Sequence, residues 1–172
     1  PETRRQWLLD LSNPAVQDFV FETFDNTMKL SPNIDYIKWD ANRHAENAGS
    51  EFLPKDRQSH FWIDYVQGFY KVMERIRAKY PDVLIQACAS GGGRTDAGIL
   101  QHADRIWASD SNDPRDRVDI QRYTELVVPP EMIGAHIGPS PAHSTWRATD
   151  LSYRAAMSLE GCSGFEWNIL EC

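Results

Sequence analysis

The sequence predicts an α/β fold, a partial (β/α)8 TIM barrel of about six βα units with the first strands missing. Apolar, β-branched runs alternate with segments of helical periodicity along the whole chain, as in a parallel sheet built with right-handed crossovers. Two of those runs, Tyr36-Ile37-Lys38-Trp39-Asp40 and Ile106-Trp107-Ala108-Ser109-Asp110, close on an aspartate, and the carboxyl ends of parallel strands are where such folds carry out chemistry. About six strands are legible where a closed barrel of this class has eight.

Taken in order, Trp7-Leu8-Leu9-Asp10-Leu11 is an apolar run expected to be a first strand. Asn13 can cap a helix and Pro14 suits its first position, so a helix is expected over 14–30, until Ser31-Pro32-Asn33 breaks it. The next strand is expected over 34–39. A polar loop over 42–56 follows, and then Trp62, Tyr65, Val66, Phe69, Met73 and Ile76 recur at helical spacing, a helix that Pro81 terminates. Val83-Leu84-Ile85 reads as a strand, and Ser90-Gly91-Gly92-Gly93 brings the backbone close to whatever lies above its end. A short helical turn over 97–102 precedes a strand at 105–107. Pro114 opens a helix through about 126, Pro129-Pro130 closes it, and 133–137 is a further strand. A helix over 150–160 and a strand over 165–169 end the chain. These elements form one partial catalytic domain, 1–172. The sequence opens on Pro1 rather than Met and closes on Cys172, and reads as a segment of a longer chain.

With 172 residues, 41% hydrophobic and 25% charged, the composition is that of one globular domain. A net charge of −7 argues against nucleic acid or an anionic membrane as partner and suits a neutral substrate. No run approaches the ~18 apolar residues of a membrane span, and the first residues do not lead into a signal-peptide core. Cys88, Cys162 and Cys172 lack the paired spacing of a zinc site and are too few for a disulfide scaffold, so reduced thiols are expected. His44, His60, His102, His136 and His143 show no metal-ligand spacing, and the glycine-rich loop lacks the lysine and serine of a phosphate-binding loop. Neither metal nor nucleotide cofactor is expected.

Two strand-end aspartates on one scaffold suggest a carboxylate pair, the equipment of glycoside hydrolysis. A lone strand-end aspartate is more often a helix cap or a surface charge, and Asp113 and Asp116, beside Pro114, are read as exactly such capping and helix-dipole groups without a catalytic part. Lys38 shares a strand face with Asp40 and can favour its charged form or bond sugar hydroxyls. Cys88 can line the pocket or be a small buried hydrophobe. Arg94 and Asp96 suit an ion pair holding their loop. Trp39, Trp107, Trp146 and Trp167 exceed the needs of a small core and can stack on sugar rings, whereas Trp62 reads as core.

Several co-ordered blocks resemble glycoside hydrolase family 36, the melibiase-like α-galactosidases: Leu9-Asp10-Leu11-Ser12-Asn13-Pro14, Tyr36-Ile37-Lys38-Trp39-Asp40-Ala41-Asn42-Arg43, Cys88-Ala89-Ser90-Gly91-Gly92-Gly93-Arg94-Thr95-Asp96, Trp107-Ala108-Ser109-Asp110 and Gly134-Ala135-His136. The resemblance implies a retaining α-galactosidase acting on melibiose- or raffinose-type α-galactosides, with Asp40 as nucleophile and Asp110 as general acid/base. It further implies Arg5, Lys38, Asn42, Cys88, Gly91 and Trp107 as substrate contacts, to which the stacking argument adds Trp39, and it points to an oligomeric parent protein and a cytoplasmic setting. Gln86, Ala89-Ser90 and Trp146 depart from the family's usual residues, which bears on substrate preference more than on the reaction. An α-N-acetylgalactosaminidase or transglycosylase of the same family, or a catalytically silent sugar-binding fragment, are the rival readings.

Overall fold

The computed structural model describes residues 5–168 and 170. The chain is α/β and forms two compact units, one of Pro1–Ile37, Asn42–Leu84 and Ala97–His102, the other of Lys38–Ala41, Ile85–Asp96 and Ala103–Cys172.

The first unit is built on two packed helices, α1 (Pro14–Met28) and α2 (Phe61–Lys79). α1 begins where the sequence predicts, with the Asn13 side chain accepting the Ala15 N–H at 3.0 Å and Pro14, which has no N–H to leave unsatisfied, in the first turn. α2 buries Phe61, Tyr65, Phe69, Val72, Met73 and Ile76 along one stripe at helical spacing. Trp62 and Val66 fall outside that stripe and are 45% and 39% exposed, so Trp62 is not the core residue expected. Gly68 lets the backbone before α1 cross α2, since a Cβ there would lie 1.8 Å from the Leu11 carbonyl oxygen. Arg75 pairs with Asp18 at 2.7 Å, and Asp25 accepts from Lys79 and from the Tyr80 hydroxyl, tying the two helices at their polar edge.

The strand expected at 7–11 does not form; the segment is irregular, with a single bridge residue at Gln6. Trp7 and Leu9 are 74% and 47% exposed and only Leu11 of the same alternation is buried, so the run does not present a continuous apolar face to a core. Asp10 instead accepts from the Ser12 and Ser50 hydroxyls, each at 2.5 Å, and ties the segment to the polar loop.

In the second unit the strands β1 (Tyr36–Asp40) and β2 (Leu84–Cys88) contribute their carboxyl-terminal residues, and β3 (Arg105–Ile106) completes a sheet of order β1-β2-β3. β2 and β3 are parallel, with Gln86 opposite Arg105 and Ala87 opposite Ile106. The Ala41 N–H reaches the Cys88 carbonyl at 2.9 Å, which sets the end of β1 beside the end of β2. After α3 (Pro114–Thr124), strands β4 (Gly134–Ile137) and β5 (Cys162–Phe165) pair in parallel from Gly134 opposite Cys162 to Ile137 opposite Phe165, joined through α4 (Leu151–Ser158). A parallel bridge between Ile106 and Ile133 links the two sheets. Every one of these pairings is parallel, so the ends of β1, β2 and β3 share one edge.

Five strands form among the described residues, against about six expected. The last lies at Cys162–Phe165, not over 165–169, of which Ile169 falls outside the described residues. Close backbone approach explains the difference. A Cβ at Gly161 would sit 2.5 Å from the Ile133 carbonyl oxygen and one at Gly164 would sit 2.8 Å from the His136 ring, so small residues set this strand where aromatic content pointed further along.

Candidate active site

The polar residues at the end of β1 divide by strand alternation: Lys38 and Asp40 are exposed on one face and Trp39 is half-buried on the other. The Cys88 thiol, buried at the end of β2, donates to the Asp40 carboxylate and accepts from the Gly91 N–H. Burial pushes that thiol above its ordinary range, with the neighbouring Asp40 charge adding to the rise and the Gly91 N–H opposing it.

Gly91 then joins this strand end to the next. Its φ is +86°, and a Cβ would lie 2.7 Å from the Ser109 Cα and 3.2 Å from the Asp110 N. Only glycine permits so close an approach at that backbone angle. The Gly92 N–H donates to the Ala108 carbonyl at 3.1 Å, which fastens the same turn to the segment following β3. Asp40 and Asp110 therefore border one glycine turn, Asp40 through Cys88 and Asp110 through its own backbone.

Trp107, 1% exposed, is the wall of this cluster. Its indole N–H donates to Asp110 Oδ1 at 3.1 Å. The Lys38 ammonium lies 5.0 Å and the Arg117 guanidinium 4.6 Å from its ring, both within cation–π range. The His136 ring packs against it with centroids 4.6 Å apart. Arg117 is 3% exposed and donates from Nη2 to the Ser109 carbonyl at 3.2 Å, while its Nε and Nη1 have no hydrogen-bond partner among the described residues. Burial pulls its guanidinium down to about 10, against the pull of the Glu166 and Asp110 charges.

Glu166, the residue after β5, accepts from Asn112 Nδ2 at 3.2 Å and lies 3.3 Å from His136 Nδ1. The His136 bond holds its carboxyl below the ordinary range, with Asn112 and the Lys38 charge acting in the same sense and burial opposing.

Asp113 caps α3 as the sequence predicts, accepting the Arg115 N–H at 2.9 Å. It is also a buried anchor, 0% exposed, that accepts from the Thr145 hydroxyl and from Arg147 Nη1. Burial alone would raise this carboxyl, yet the Thr145, Arg115 and Arg147 donors together hold it below its ordinary range. Asp116 is a second acceptor for Arg147, at 3.3 Å. Arg94 donates from Nε to the Ala41 carbonyl at 3.1 Å, bracing the residue after Asp40.

Of the residues singled out in the sequence, Lys38, Trp39, Asp40, Cys88, Gly91, Trp107 and Asp110 belong to the second unit, and all of these except Trp39 are joined by the contacts above. Arg5 and Asn42 belong to the first unit, where Arg5 is exposed with φ +56° and Asn42 is half-buried. Sequence reasoning passed over Arg117 and Glu166. Glu166 carries the same mark as Asp40 and Asp110, a carboxylate at or past the end of a strand, but a strand over 165–169 puts it inside the element. Among the described residues no three His, Cys, Asp or Glu side chains cluster as metal ligands.

The chain matches the family model described as Melibiase over residues 1–172. It is 40% identical over 169 residues to Alpha-galactosidase 1 of Pediococcus pentosaceus, covering 98% of this chain and 23% of that protein. Two crystal structures of variants of the GH36 alpha-galactosidase AgaA from Geobacillus stearothermophilus, in complex with stachyose and with raffinose, superpose with TM-scores of 0.95 and 0.96. Each is 37% identical, over 100% of this chain and 24% of the solved one. The chain thus spans about a quarter of the length of the relatives it matches.

Proposed function

The chain belongs to the melibiase family, and from that premise we propose that it supplies the catalytic carboxylates of a retaining α-galactosidase, as one partial (β/α)8 barrel domain over 1–172 of a larger enzyme. The all-parallel pairing of its strands and its likeness to GH36 alpha-galactosidase structures support the barrel. The observation that carries the reading is the convergence of Asp40 and Asp110 on the Gly91 turn. Double displacement needs two carboxyl groups roughly 5 Å apart, one to attack and one to shuttle a proton.

Asp40 attacks the anomeric carbon of a terminal α-galactoside, and the bond to the leaving oxygen breaks as Asp110 gives that oxygen its proton. A galactosyl ester on Asp40 results. Asp110, now ionised, takes a proton from water as the water oxygen attacks the same carbon, releasing galactose and regenerating both groups. The Trp107 N–H occupies Asp110 Oδ1 and leaves Oδ2 for the proton transfers. Lys38, over the Trp107 ring, and the Cys88–Gly91 turn line the sugar side, with Trp39 as a further contact.

The substrates are oligosaccharides ending in α-galactose, a reading supported by the raffinose and stachyose in complex with the two AgaA variants; a homo-oligomeric parent protein is part of the same proposal and rests on the family resemblance alone. Galactose release from melibiose and raffinose by the full-length protein tests the reading, with Asp40→Asn and Asp110→Asn as controls. Release by the wild type, with each variant slowed by at least about a thousandfold, is expected. Faster hydrolysis of the N-acetylgalactosaminide, or no release at all, would contradict it.

A further inference from the structure

We infer that Glu166 is a positioning residue for Asp110, holding it from two sides through Asn112 and through the His136–Trp107 pair; the inference rests on the hydrolase reading above. One arm is short. Asn112, two residues beyond Asp110 and 7% exposed, donates its amide N–H to Glu166 Oε2 at 3.2 Å, which fixes the chain just past the aspartate. The other arm runs from the same oxygen to His136 Nδ1 at 3.3 Å, across the ring packing of His136 on Trp107 at 4.6 Å, to the indole N–H on Asp110 Oδ1 at 3.1 Å.

The chemistry of the arms is directional. An ionised carboxylate only accepts, so the proton between Glu166 and His136 sits on His136 Nδ1, which orients the imidazole against the indole. Trp107 has little room to respond otherwise, being 1% exposed, with Gly134 so close that a Cβ there would be 2.9 Å from the indole. Strand register supports the placement, since His136 pairs with Gly164 and Ile137 with Phe165, so that Glu166 emerges beside the end of β4. Glu166 touches neither Asp110 nor Asp40 in any of these contacts; its effect passes through Trp107 and Asn112.

A carboxyl group displaced by about 1 Å loses on the order of a hundredfold in proton transfer. That loss depends on the leaving group. A sugar alkoxide needs a proton to depart, whereas 2,4-dinitrophenolate does not, and kcat/KM reports the step in which that bond breaks.

The test is kcat/KM of the full-length protein on melibiose and on 2,4-dinitrophenyl α-galactoside, for wild type, Glu166→Ala and Glu166→Gln. Glu166→Ala is expected to lose about ten- to a hundredfold on melibiose and no more than about threefold on the dinitrophenyl substrate. Glu166→Gln, which keeps an acceptor oxygen in place, should recover most of the loss. If Glu166→Ala does not fold, His136→Phe severs the longer arm while keeping an aromatic ring on Trp107, and the same division between substrates is expected. Equal losses on both substrates, or none on either, overturn the positioning role. A wild type that turns over neither substrate overturns instead the hydrolase reading on which it rests.

Discussion

The Trp107 indole N–H donates to Asp110 Oδ1 at 3.1 Å from a ring that is itself 1% exposed, so a side chain open to solvent is steered by one that is not. Asp110 is exposed, and this bond from a buried ring fixes the orientation of its carboxylate. Trp107→Phe keeps most of the wall and removes the donor. Hydrogen bonds to charged groups contribute about 1.5–3 kcal/mol, so kcat/KM on melibiose should fall roughly 10- to 100-fold. Steady-state kinetics on the folded variant checks this, and an unchanged kcat/KM would remove Trp107 from the machinery.

Gly91 is the point where the two aspartates meet. At Gly91→Ala the new Cβ would strike the Ser109 Cα at 2.7 Å, a side-chain atom against rigid backbone, at a φ of +86° that alanine resists. The segment carrying Asp110 must move. We expect kcat to fall by at least about tenfold with secondary structure retained by circular dichroism. By contrast Gly93→Ala would meet the Ala89 carbonyl rather than the segment carrying Asp110, and should act mainly on stability.

Much of this was readable before any coordinates. Asn13-Pro14 and Asp113-Pro114 announced two helix starts because capping is local chemistry, settled within three residues. Tyr65, Phe69, Met73 and Ile76 of the buried stripe of α2 follow from spacing alone, while Trp62 and Val66, which the same spacing includes, fall outside it. What escaped were features set by distant backbone. The run Trp7-Leu8-Leu9 looks like a strand until Asp10 is found bonded to Ser50, forty positions away. β5 is placed by the clearance at Gly161 and Gly164, which no propensity encodes, and the position of Glu166 just past its end is hidden for the same reason. Arg117 reads as one charge among several on α3; only packing shows it stacked on Trp107.

Asp113 links stability to pH. Its carboxyl is held below the ordinary range in the fold, so it adds stability that is complete above the unfolded-state value of about 3.9 and is lost as pH falls through the folded value. Asp113→Asn should lower stability at pH 7 by about 2 kcal/mol, because Arg147 and the Thr145 hydroxyl lose a charged acceptor. Thermal melts from pH 7 to 3 should show a constant gap between wild type and variant down to about pH 5, narrowing below about pH 4. A gap that widens on acidification would contradict the sign.

Cys88 should be the slow thiol. Burial and the Asp40 carboxylate keep it protonated at neutral pH, whereas Cys162 is half-buried with its thiol donating to the Glu131 carbonyl at 2.8 Å. Mass-spectrometric mapping after iodoacetamide at pH 7.5 should find Cys162 labelled at least about tenfold faster. Asp40→Asn, which removes the adjacent negative charge, should speed labelling of Cys88.

Chemical rescue with azide addresses the two aspartates most directly, because each role leaves a different stereochemical mark. On an activated aryl α-galactoside, Asp40→Gly with azide should form β-galactosyl azide, since azide replaces the missing nucleophile by a single inversion. Asp110→Gly with azide should form α-galactosyl azide, since azide captures the Asp40 ester in place of water. Products of the opposite configuration, or no rescue of either variant, would contradict the assignment of nucleophile and acid/base to this pair.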